Sequence, residues 1–219
     1  MRFIKDNGRA IIQSFVTFAC LLVMILAGLA AYNQELVKQG HAAVLASQYA
    51  RSEHFLSALF ENWESEFLQM SAYVVLTAFL YQRGSAGAKD PDEETAQEVG
   101  PVLEMHRFGA PAIVRSGKFL RTRYSYSLSL ALFGLFVLSF FLHLWQSGAG
   151  QAVDTATHGR LPPSVNTHLL SAQFWFGSFQ NWQSEFFSTA VLVLFSIFLR
   201  FRGSPESTAV AAPHAERGA

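Results

Sequence analysis

Residues 52–85 read SEHFLSALFENWESEFLQMSAYVVLTAFLYQRGS, and residues 171–204 read SAQFWFGSFQNWQSEFFSTAVLVLFSIFLRFRGS. A shift of 119 residues superimposes the two without a gap. Of these 34 positions 14 are identical, including F-x-N-W-x-S-E-F and the closing R-G-S. No proline interrupts either copy. Ser52 and Ser171 suit helix N-caps, because a hydroxyl there accepts from an early backbone N–H, and Gly84 and Gly203 suit a helix stop. Each copy is therefore predicted to be helical from end to end. A helix over 52–83 would be about 47 Å long, against an apolar slab of about 30 Å. Its first ten residues are expected outside the slab, as a short interfacial amphipathic helix. Phe55, Leu56, Leu59, Phe60 and Trp63 would share one face there, and Trp63 and Trp182 would anchor at the interface, where indoles settle.

The slab enters because of composition. Of the 219 residues 51% are hydrophobic and 15% charged, below the roughly 25% charged of a soluble chain. Four stretches reach the length a bilayer crossing needs: residues 10–32, 63–82, 127–145 and 182–199. The first exceeds the 7–15 residues of a signal h-region and reads as a retained span. The second and fourth carry Glu66 and Glu185 near their starts. Thirteen of the sixteen Lys and Arg fall in the N-terminus, the loop after span two and the C-terminus. That asymmetry puts both termini and the central loop in the cytoplasm.

The expected fold is an all-α membrane protein, four transmembrane helices in two parallel two-span repeats, related by an axis along the membrane normal. Residues 1–85 form repeat one, 86–126 a cytoplasmic acidic/basic linker, 127–204 repeat two and 205–219 a disordered tail. Asp90, Asp92, Glu93, Glu94 and Glu98 make the linker's first part solvated. Arg115, Lys118, Arg121 and Arg123 serve as orientation signals or contacts for anionic head groups.

A helical wheel groups Asn62, Glu66, Gln69, Tyr73 and Thr77 in span two, and Asn181, Glu185, Ser188 and Ser196 in span four. It also groups Gln13, Thr17 and Cys20 in span one, and Ser139, His143 and Gln146 in span three. Polar groups aimed at lipid tails are costly, so these stripes are expected to face a bundle interior. Glu66, Glu185 and His143, with Asn62 and Asn181, form the candidate intramembrane cluster. It serves helix association in one reading and an ion or proton route in the other.

Zero net charge and the lack of a basic surplus exclude nucleic acid as an expected partner. The partners expected are the lipid bilayer and a second copy or another membrane protein. Cys20, the lone cysteine, rules out an internal disulfide. No nucleophile–base pattern, metal-ligand spacing or second intramembrane histidine stands out, so no cofactor, metal or catalytic residue is expected.

Residues 51–70, R-S-x-H-F-L-x-A-L-F-E-N-W-E-S-E-F-L-Q-M, resemble a bacterial family of uncharacterised four-span integral membrane proteins with a duplicated F-x-N-W-x-S-E-F motif. Y-x-x-L-T-A-F-L-Y-Q-R-G-S-A over 73–86, K-D-P-D-E over 89–93 and N-W-Q-S-E-F over 181–186 carry the same likeness, which spans nearly the whole chain apart from the tail. The resemblance implies a place in the bacterial inner membrane. It brings no activity, ligand or catalytic residue.

Overall fold

A computed structural model describes residues 4, 6–82, 85, 87–89, 100–103, 105–157, 161, 164–207 and 209–211. These form α1 (Gly8–Lys38), α2 (Ala46–Tyr49), α3 (Glu53–Phe79), α4 (Lys118–Ser125), α5 (Ser127–Thr157), α6 (Val165–Leu169) and α7 (Ala172–Phe198), with a 3-10 turn at Ala112–Arg115. No strand occurs among the described residues. Helix starts recur at one interval: Gly8 to Ser127, Ala46 to Val165 and Glu53 to Ala172 are each a step of 119 residues. α1 and α5 both have 31 residues, and α3 and α7 both have 27.

Among the described residues, α1 and α5 are the two helices long and apolar enough to cross a membrane, with mean hydropathies of 2.4 and 2.1. Both outrun the stretches expected from composition, because the helix continues through the polar residues that follow. α3 and α7 each run unbroken from Glu53 and Ala172, in line with the continuous helix expected of each copy. They stop at Phe79 and Phe198, short of the glycines expected to end them. Gly203 takes a left-handed φ of 86° in a later turn, and Gly84 lies outside the described residues, as do Arg83, the acidic run 90–98 and the tail from 212. Before that, Ser207 closes a turn on Phe201, accepting from its N–H at 3.0 Å. The basic part of the linker is ordered into the 3-10 turn and α4. Arg115 Nε donates to the Met105 carbonyl at 3.1 Å, and the Arg123 guanidinium sits 4.8 Å from the centre of the Phe119 ring.

The chain divides into two compact units, Met1–Phe60 with Leu142–Leu170 and Glu61–Phe141 with Ser171–Ala219. Neither is one half of the sequence; each draws a segment from both.

In the first unit, α1 ends in a Schellman turn. His41 N–H reaches back to the Leu36 carbonyl and Gly40 N–H to that of Val37, with Gly40 at φ 80°, a conformation that glycine adopts without Cβ strain. The Asn33 side chain then holds the returning chain through both backbone groups of Val44, at 2.8 and 3.0 Å. That places α2 so that Tyr49, 3% exposed, packs on Gly28 of α1. A Cβ at Gly28 would collide with the Tyr49 phenol. Tyr32 stacks beside it, with ring centres 5.5 Å apart. The same positions 119 residues on hold His168, Ser147 and Gln151. His168 is 5% exposed, with Nε2 2.8 Å from Ser147 Oγ and Nδ1 2.7 Å from Gln151 Oε1. A large phenol over a glycine in one place is matched by a smaller imidazole reaching a serine in the other.

In the second unit, Phe136 and Phe140 of α5 meet Phe174, Trp175 and Trp182 of α7, with ring centres 5.8–6.2 Å apart. Each such contact contributes about 0.5–1.5 kcal/mol beyond area burial.

Gly28→Ser should lower stability by about 1–3 kcal/mol through overpacking. Gly28→Ser with Tyr49→His, the pair found at 147 and 168, should recover most of it. Thermal unfolding of wild type, single and double variants in one detergent checks this; a double variant less stable than Gly28→Ser alone would refute the size match.

Candidate functional site

The interior is polar and the exterior apolar. Five apolar side chains are buried among the described residues (Tyr49, Phe55, Val114, Leu144 and Phe174), against nine polar ones, while Phe15, Phe18, Phe79, Phe133, Phe141 and Phe187 are each more than half exposed. A protein folded by apolar burial in water would show the reverse.

The densest polar set lies between α3 and α7 of the second unit. Glu61, Glu64, Ser65 and Ser71 share one face of α3 by their i, i+3, i+4 and i+10 spacing. Glu64 is wholly buried, and Ser65 and Ser71 nearly so. Glu64 Oε1 accepts from Trp182 Nε1 at 2.9 Å, and Glu61 Oε1 accepts from Asn181 Nδ2 at 2.8 Å. Gly177 leaves room for the Glu61 carboxylate, since a Cβ there would lie 2.8 Å from Oε1. Further along, Gln69 Nε2 donates to Thr189 Oγ1 at 2.5 Å, and the buried Ser85 and Ser196 hydroxyls meet at 3.0 Å. The first three of these contacts form a ladder along the helix pair, and Ser85 reaches Ser196 from beyond the end of α3. Ser178 Oγ is buried with no hydrogen-bond partner among the described residues.

Of the cluster expected from sequence, Glu66 and Glu185 belong to this unit and lie within electrostatic reach of each other. Glu66 and Asn62 are exposed, and Glu185 is half-buried. Asn181 is drawn into the ladder. Trp63 is exposed, whereas its counterpart Trp182 is turned inward onto Glu64 and the Phe179 ring, 4.9 Å away. His143 belongs to the first unit, where it is 3% exposed and its carbonyl accepts from Ser147 Oγ at 2.8 Å. Gln13, Thr17 and Cys20 are exposed on α1. The residues missed from sequence are Glu61 and Glu64. Their signal was a difference between the copies: the motif reads E-N-W-E-S-E in the first and Q-N-W-Q-S-E in the second. Among the described residues, no three His, Cys, Asp or Glu side chains gather so as to hold a metal ion.

Below the ladder's Gln69–Thr189 rung a groove of about 450 Å3 runs between the two helices, lined by Tyr73, Thr77, Phe186 and Val193 among others. Tyr73 Oη donates to the Gly87 carbonyl at 3.3 Å, which folds the chain after α3 back across the groove.

These features define an all-helical protein carrying two helices long and apolar enough to cross a membrane. It belongs to the family described as "Domain of unknown function (DUF6766)", whose model matches residues 1–219. No curated protein and no solved structure matches the chain.

Burial lowers the pKa of His168, and neighbouring His143 lowers it further. A histidine that is harder to protonate folded than unfolded stabilises the fold above its unfolded pKa, near 6.5. That stability is lost as pH falls below it, since protonation then favours the open state. Acidification from pH 8 to 5 should therefore loosen α6 from α5, and His168→Gln should flatten the response. Amide hydrogen exchange over residues 164–170 reads it; equal protection at both pH values would count against it.

The ladder also makes a prediction. Trp182→Phe takes a donor from the buried Glu64 carboxylate and should cost about 1–3 kcal/mol. On a Glu64→Gln background the same change should cost less, and additive melting shifts in a double-mutant cycle would refute the coupling.

Proposed function

We propose that the chain is an integral membrane protein of the bacterial inner membrane, crossing it four times with both termini cytoplasmic. It is built as two parallel copies of one two-span unit, and serves as a non-catalytic scaffold or accessory component whose polar ladder holds its helices together. The polar interior beneath an apolar exterior carries the reading: a bilayer supplies apolar solvent to the outside and leaves interior polar groups to satisfy one another. α3 and α7, at about 40 Å each, are long enough to cross a slab of about 30 Å. Their apolar second halves and polar first halves explain why hydropathy alone favours only α1 and α5. The recurrence of helix bounds at 119 residues, and of the Tyr49 and His168 contacts with it, supports duplication. A second copy or another membrane protein is the partner proposed; no nucleic acid is.

The partners of Glu61 and Glu64 favour structure over transport. The buried Glu64 is held by an indole and the half-buried Glu61 by an amide. A second reading, a small carrier or proton/cation pathway, draws on the closeness of Glu66 and Glu185. The two readings separate in proteoliposomes. Wild type should pass neither protons nor Na+ or K+ above protein-free vesicles. Glu66→Gln/Glu185→Gln should leave that baseline unchanged and shift only the melting temperature. Wild-type flux that disappears in an equally stable double variant would replace the scaffold with a transporter.

A further inference from the structure

α4 is joined to the apolar helix α5 by a single residue, Tyr126. Once α5 enters a bilayer, α4 is therefore confined to the boundary between water and lipid. At about 100° per residue its side chains sort into two arcs. Phe119, Leu120, Arg123 and Tyr124 span about 140°, and Lys118, Arg121, Thr122 and Ser125 fill about 100° opposite. The 3-10 turn at Ala112–Arg115 packs against α4, yet Phe119, Leu120 and Tyr124 stay exposed, Phe119 by 68%. An isolated helix of eight residues is marginal in water, so this apolar arc needs a partner. Arg123, the one base inside it, lays its guanidinium over the Phe119 ring. Its stem then adds apolar surface while its charge can still reach a head group. Tyr124 and Tyr126 are the amphipathic rings that settle at such a boundary.

The charge of the stretch has one sign. From Met105 to Val153 the chain holds no Asp or Glu, and its Lys and Arg there are Arg107, Arg115, Lys118, Arg121 and Arg123, all ahead of α5. Lys118, Arg121 and Arg123 form no ion pair among the described residues. The linker acids Asp92, Glu93, Glu94 and Glu98, outside the described residues, are the competitors for these bases. A helix with an apolar arc and a basic polar arc lies in the interface plane, held by buried apolar area together with attraction to anionic lipid. The covalent tether to α5 makes that docking intramolecular, which lets a helix of about 12 Å suffice.

We infer that α4 lies flat on the membrane surface where α5 begins, with Phe119, Leu120 and Tyr124 in the upper acyl region and Lys118, Arg121 and Arg123 on anionic phospholipid head groups. The inference rests on α5 crossing the membrane, as proposed above, and on no particular number of spans.

The test uses the full chain on a Cys20→Ser background, with one nitroxide at Leu120→Cys or at Thr122→Cys. It is reconstituted into vesicles of phosphatidylcholine, alone or mixed with phosphatidylglycerol. In the mixed vesicles the Leu120 label should be open to oxygen and closed to a water-soluble nickel chelate, and the Thr122 label open to nickel. Phosphatidylcholine alone should lower the docked-to-free ratio of the Leu120 label. Lys118→Gln/Arg121→Gln should lower it about fivefold or more in the mixed vesicles, with the helical spectrum unchanged. Tyr124→Cys carries the label if Leu120→Cys does not fold. Equal nickel access at both sites would overturn the docking, and a Leu120 label shielded equally in both vesicles would give the arc to protein instead of lipid. A response to phosphatidylglycerol that emerges only after Asp92→Asn/Glu93→Gln/Glu94→Gln/Glu98→Gln would give the bases to the linker and overturn it too. Chain washed from the vesicles by alkali would overturn the membrane reading itself, whereas retained chain with both labels in water would overturn the docking alone.

Discussion

The hydrogen-bond ladder between α3 and α7 is the constraint on which the second unit depends. Its rungs are Glu61–Asn181, Glu64–Trp182 and Gln69–Thr189, and Ser85, past the end of α3, adds a contact to Ser196. A helix pair with so few buried apolar side chains gains little from apolar burial, so association must come from close packing and from satisfied polar groups. Small residues at the contact, Ser65, Ser71, Gly177 and Ser178, let the backbones approach. The longer acids and amides then reach across. In lipid each rung would contribute on the order of 0.6 kcal/mol, occasionally near 2, so the ladder acts through number and register more than through any one bond. A slip of one residue would misalign every rung at once.

The two units show the same problem solved with different chemistry. In the first, a short helix docks on a long one through a single buried side chain: Tyr49 against Gly28, and His168 against Ser147. The phenol fills space, while the imidazole fills less and takes hydrogen bonds from or to Ser147 and Gln151. Each position compensates its partner's size, which is why Gly28 tolerates no Cβ while Ser147 uses one. On the proposed duplication, the copies have diverged by paired changes within one layer. The layer that gained histidine also gained a response to pH, whereas burial pushes the Tyr49 phenol up, with Tyr32 adding to it, and keeps that layer neutral.

Much of this was legible in the sequence, and the misses have physical causes. The helical class and the Ser52 and Ser171 caps, whose hydroxyls accept from Phe55 and Phe174 at 3.3 and 3.2 Å, follow from short-range pattern. Which polar stripe of α3 faces α7 does not. A wheel ranks faces by composition, and α3 has two polar faces, one through Asn62 and Glu66 and one through Glu61 and Glu64. Agreement between the copies drew attention to the shared Glu66 and Glu185, yet the acids that reach α7 are the two that the second copy lacks. The α2 and α6 dockings were out of reach for another reason: four- and five-residue helices are too short to show a period. Linker order at Ala112–Arg115 and α4 was missed because Arg115, Lys118, Arg121 and Arg123 read as orientation signals or head-group contacts.

The asymmetry of the ladder bears on what such a protein can do. In the second copy Gln180 and Gln183, both exposed on α7, stand at the positions of Glu61 and Glu64. The acids then find donors on the opposite helix in Asn181 and Trp182, residues that both copies share. The acceptors Glu61 and Glu64 come from α3 and the donors from α7, so a second α7 in the place of α3 would lack both carboxylates. Specificity of this kind comes from the unpaired alternative being costly more than from the pair being strong. It gives α3 and α7 of one chain a reason to pair, while Gln13, Thr17 and Cys20 stay exposed on α1.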